Sequence, residues 1–100
     1  MKTGHVVRAL EDAARQLGLE VRWEKGNFRG GRCVLDGREM VMLNKNHPPE
    51  VHLAVLAESL HGLPIETVYL RPAVREAMEA AWARHAESLR DTLLEPDETE

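Results

Sequence analysis

One hundred residues suffice for a single domain with one core and leave no room for a second. Hydrophobic residues at 43% and charged residues at 30% exclude a disordered chain, and no apolar run approaches the ~18–20 residues of a membrane span. The net charge of −4 is unevenly spread: residues 1–47 carry nine basic and six acidic side chains, residues 48–100 four and eleven. A single cysteine, Cys33, permits no internal disulfide. The opening MKTGHVVRALEDAARQ has neither an apolar block nor a small-residue cleavage site, so the expected compartment is the cytoplasm. Arginine outnumbers lysine ten to three and Asn plus Gln total four, a balance expected of a thermophilic or GC-rich source.

Positions 4–17 predict an amphipathic helix with Val6, Leu10, Ala13 and Leu17 on one stripe, Thr3 as N-cap and Gly18 as its stop. "LEVRWEK" alternates as a strand does. "RCVLDGREMVMLN" centres on Asp36-Gly37, the pair that a two-residue type I′ hairpin turn demands. With that turn Cys33 opposes Met40, and Cys33, Leu35, Met40 and Met42 share the face expected to meet the core. Pro48 and Pro49 end the strand and lead into a helix from Pro49 to about Leu60, with Leu53, Leu56, Ala57 and Leu60 on its buried stripe. Gly62 and Pro64 stop it, and the periodicity of "IETVYL" fits either a short strand or an irregular crossing. Pro72 opens a helix to about Leu94, with Val74, Met78, Ala81, His85 and Leu89 along one face and Trp82 and Leu93 beside it. Such a helix is ~34 Å long, more than a small sheet covers, so its overrun is expected to meet a second copy in a homodimer. Residues 95–100, EPDETE, read as a frayed acidic tail on a domain spanning 1–94. The expected fold is α+β, in the order α-β-β-β-α-α, a three-stranded antiparallel meander with helices on one face.

The densest chemistry lies in "EKGNFRGGRC", residues 24–33. Gly26, Gly30 and Gly31 permit positive φ or close backbone approach. Lys25, Asn27, Arg29 and Arg32 offer contacts to an anionic ligand or nucleic acid, and Phe28 a stacking surface. The pattern is neither a Walker loop nor a dinucleotide fingerprint, since no helix follows it. The competing reading is a connection between strands with Phe28 on the core and the arginines in water. Serine occurs only at 59 and 88, both in helices, and the histidines at 5, 47, 52, 61 and 85 share no metal spacing, so no catalytic residue, metal or other cofactor is expected.

In the second helix Ala57-Glu58-x-x-His61 resembles the zincin signature HExxH with its first histidine replaced by alanine, and residues 32–63 follow the element order of a compact zincin core. That resemblance implies, as an alternative, a degenerate zincin-like protein with a residual metal or hydrolytic site at Glu58 and His61. His52 lies nine residues before His61, on the opposite side of a helix, so a further ligand would have to come from elsewhere, with Cys33 and His85 the candidates.

Over roughly residues 15–70 the chain also resembles a family of small uncharacterised bacterial proteins sharing EKGNF[KR]GG-x-C, a hairpin and an asparagine-lysine pair, matched here by Asn44 and Lys45. The resemblance implies a cytoplasmic single domain in which Gly26, Asn27, Phe28, Gly30, Gly31, Cys33 and Asn44 form a unit, and it assigns no catalytic role. Together these features lead us to expect a small non-enzymatic binding or assembly protein, acting through loop 24–33 or the long C-terminal helix.

Overall fold

A computed structural model describes residues 1–94, and side-chain exposure for residues 1–92. The chain forms α1 (Thr3–Gln16), β1 (Glu20–Glu24), β2 (Gly31–Leu35), β3 (Arg38–Asn44), α2 (Pro49–Leu60), a single 3₁₀ turn (Ile65–Thr67) and α3 (Pro72–Leu94). The class is α+β as expected. The connector "IETVYL" is therefore the 3₁₀ turn followed by extended chain, not a strand.

The sheet is not a meander. Its order is β1-β3-β2, with β2 antiparallel to β3 and β1 parallel to it. The Asp36-Gly37 hairpin forms as predicted, with φ of 53° and 76° at its two turn residues. The error lay in the third strand. β3 is apolar on both faces, Met40 and Met42 on one and Val41 and Leu43 on the other, so its place is the centre of the sheet, flanked on each side. The segment joining β1 to β2 then has to arch over the end of β3, ~10 Å for two strand spacings, a distance within reach of residues 25–30.

This topology also reverses the face assignment. Val41 and Leu43 are fully buried in the core, with Val21 and Trp23 of β1 packed beside them. Cys33 and Leu35 lie on the opposite face and are exposed, contrary to expectation. Met40 on that face is buried and Met42 half-buried. Met40 lines a small outer-face depression with Glu20, Arg22, Leu35 and Arg38. Either parity of β3 would satisfy an alternating pattern. The helices choose between them.

All three helices contribute to one core with the inner sheet face. α1 presents Val6, Val7, Leu10, Ala13 and Ala14, and its end is closed by Gly18 at φ 94° with Leu19 N–H bonded back to Ala14. It starts one residue earlier than predicted, so Thr3 lies inside the helix, and Lys2 is the N-cap with no side-chain cap bond. α2 is the central helix: Leu53, Leu56, Ala57 and Leu60 are buried, and so are Val55, His52 and Ser59. Each fully buried leucine contributes ~2–3 kcal/mol through the water it leaves. Along α3 burial stops at Ala81: Val74, Met78 and Ala81 join the core, Trp82 is half-buried, and residues 83–92 are exposed throughout. The side chain of Leu93 and the tail 95–100 lie outside the described residues. Among the described residues no helix is long and apolar enough to cross a membrane.

Candidate functional site

Two places bring polar and aromatic side chains together, the arch over β3 and the mouth between α2 and the overhang of α3. At the arch the organising residue is Asn44, the last of β3 and only 2% exposed. Its Nδ2 donates to the carbonyls of Gly26 at 2.8 Å and Phe28 at 2.7 Å, and its Oδ1 accepts from Asn46 N–H at 2.9 Å. Two amide protons thus meet two carbonyls, and the arch is held by the strand end beneath it. The Asn44 carbonyl accepts from Nε2 of buried His52 at 2.6 Å, which requires the proton on that nitrogen. The His52 ring lies edge-on to Trp23 at 4.8 Å, and Trp23 Nε1 donates to Glu11 at 3.0 Å. One network therefore ties α1, β1, β3 and α2 to the arch.

The glycines serve that geometry. Gly30 sits at φ +97°, and a Cβ there would stand 2.6 Å from the Met42 carbonyl oxygen. A Cβ on Gly26 would meet the Phe28 ring at 3.2 Å, so this ring folds over the glycine and is half-buried. Of the five residues proposed to hold an anion, Lys25 and Asn27 are exposed, Arg29 pairs with Glu58, and Arg32 pairs with Glu39. The fold sends the two arginines to different carboxylates, and Phe28 does not point outward beside Arg29.

The second place begins at Glu58, in the last turn of α2. Its Oε2 lies 3.2 Å from Arg29 Nη2 and 3.4 Å from His85 Nδ1, an ion pair whenever that imidazole is protonated. Trp82 crosses from α3 and donates Nε1–H to the Ala57 carbonyl at 2.6 Å, and the His61 ring meets its indole edge-on at 5.0 Å. Glu58, His61, Trp82, His85, Ala86 and Leu89 line one groove. Positions 82, 85, 86 and 89 share a face of α3 by their three- and four-residue spacing. Leu89, at 51% exposure, is the large apolar side chain left open at its end.

His61 itself is the C-cap of α2, with φ −64° and ψ 131°, so it has left the helix on which a zincin pair would stand four residues apart. Cys33 is on the outer sheet face, and His85 is the proposed outside ligand that does come to Glu58. Among the described residues no group of three or more His, Cys, Asp or Glu is placed to hold a metal ion. Reasoning from sequence missed Trp82 and Ala86 as parts of a site. The signal available was the overrun of α3, which showed that apolar surface would be left over but not what would stand beside it.

No protein-family model, curated protein or solved structure matches this chain.

Proposed function

We propose that this chain is a non-enzymatic binding protein whose partner docks in the groove between α2 and α3, with Arg29 of the arch at its rim. The observation that carries the reading is the open apolar run Trp82, Ala86, Leu89 beside a polarised cluster, Arg29, Glu58 and His85. An exposed apolar strip with a charged rim is the usual anatomy of a recognition surface. The Arg29 side chain is 62% exposed against 23% for Glu58, so the guanidinium still has donor edges open while the carboxylate is already flanked. The chemistry fits a polypeptide presenting an apolar side chain next to an acidic one.

Panning a displayed peptide library against the full chain tests this. Enriched peptides should pair an apolar residue with Asp or Glu. Binding should be lost with Leu89→Asp and weakened about tenfold by Arg29→Ala, the ~1.4 kcal/mol of one charge-assisted contact. Panning without enrichment contradicts the reading. The second reading, a residual metal site at Glu58 and His61, has in its favour only the approach of His85 to Glu58 at 3.4 Å, since among the described residues no group of three such side chains is placed to hold an ion. Elemental analysis decides it: stoichiometric zinc, lost with His61→Ala, would replace binding by metal chemistry.

A further inference from the structure

We infer that the free edge of β2 pairs with β2 of a second copy, antiparallel and centred on Cys33, making a continuous sheet across a two-fold dimer. This assigns the self-contact to the sheet rather than to α3, and it leaves the groove for another partner.

The backbone states which groups are free. A two-residue turn closes on a bonded Leu35–Arg38 pair, so Gly31, Cys33 and Leu35 spend their hydrogen bonds on β3. On its other side β3 uses odd-numbered residues towards β1, a pattern that Lys45 N–H continues by donating to Glu24 at 2.8 Å. Arg32 and Val34 therefore turn their N–H and C=O groups outward. Among the described residues no hydrogen bond reaches those groups. The edge carries no proline and no bulge across its five-residue register, Arg32 is its one charge, and Val34 and Leu35 are exposed at 65% and 51%.

The strand is also its own complement. Centred on Cys33, Arg32 falls opposite the partner's Val34 and Val34 opposite the partner's Arg32, and each such pair exchanges both N–H···O bonds. The Arg32 stem then lies along the partner's exposed Val34. Leu35 falls opposite the partner's Gly31, whose missing Cβ leaves open space, and beside the partner's Met42, since Gly31 and Met42 are register partners. An unrelated strand would need this same spacing of small, apolar and charged positions. A second copy has it by construction.

Sedimentation velocity of the full chain at about 50 µM, with disulfide trapping, tests the pairing. The two Cys33 thiols occupy a non-hydrogen-bonded pair, ~4.5 Å between Cα atoms, within disulfide reach. Diamide, taking up the two thiol hydrogens, should link them at least ten times faster in the folded protein than in denaturant at equal concentration. Val34→Pro removes only an outward N–H, so the fold should persist by circular dichroism while dimer affinity falls about 100-fold, the loss of two inter-chain hydrogen bonds with a steric block. In a Cys33→Ser background, Leu35→Cys should link slowly, since it faces the partner's Gly31. A monomer, a dimer that Val34→Pro leaves intact, or faster linking through Leu35→Cys would overturn the proposal. A dimer broken by Leu89→Asp but not by Val34→Pro would place the contact on α3.

Discussion

The arch over β3 and the groove beside α3 hold similar inventories, glycine apart: an arginine or its carboxylate, aromatic rings, histidine. Beneath the arch the supporting groups are paired, while Lys25 and Asn27 stand exposed above it. Asn44 uses both amide protons and its oxygen, His52 and Trp23 each have partners, and the glycines are set by backbone clearance. In the groove, Leu89, His61 and His85 are exposed, and the Arg29–Glu58 bridge is a long, half-open pair. The residue-rich loop is thus fastened to the strand end beneath it, while the plainer helix carries the open groove. Buried polar groups that satisfy one another rigidify; exposed ones with spare donors recognise.

The contrast can be broken at the arch first. Gly30→Ala should destabilise most, by about 3–4 kcal/mol in denaturant unfolding, because positive φ and a 2.6 Å approach to the Met42 carbonyl act together. Gly18→Ala is the control: at φ +94° with nothing within 4 Å it should cost about 1–2 kcal/mol. Equal losses at the two positions would show that the arch has room to relax. Asn44→Ala should cost about 2–3 kcal/mol by leaving the Gly26 and Phe28 carbonyls without their donor. At the groove the effects on stability should be small. Leu89→Asp and Arg29→Ala should each change unfolding free energy by less than about 0.5 kcal/mol, since both side chains are largely exposed. A larger loss at either would mean that the groove is part of the fold's framework.

What could be read from sequence was local. Asp36-Gly37 encodes its turn because both residues must take positive φ, and the proline start and glycine stop of α2 bracket it to the residue. The parity of β3 was not local. Met40 and Met42 offered as apolar a face as Val41 and Leu43, and only the parallel pairing with β1 and the seating of α2 distinguish them. The groove was further out of reach. Arg29 and Glu58 are separated by 29 positions, and Glu58 and His85 meet only because Trp82 anchors α3 on the end of α2. Spacing within one segment cannot announce a cluster assembled from three.

We propose that recognition belongs to the groove, with Arg29 the one contribution from the arch. The most direct measurement compares peptide binding by Leu89→Asp with that of Lys25→Ala/Asn27→Ala, which alters the two arch side chains that stand exposed. A peptide selected on the wild-type chain should lose its affinity in the first variant and keep it within a factor of about two in the second, a difference of under ~0.5 kcal/mol. Loss of binding in the arch variant, with Leu89→Asp unaffected, would contradict it.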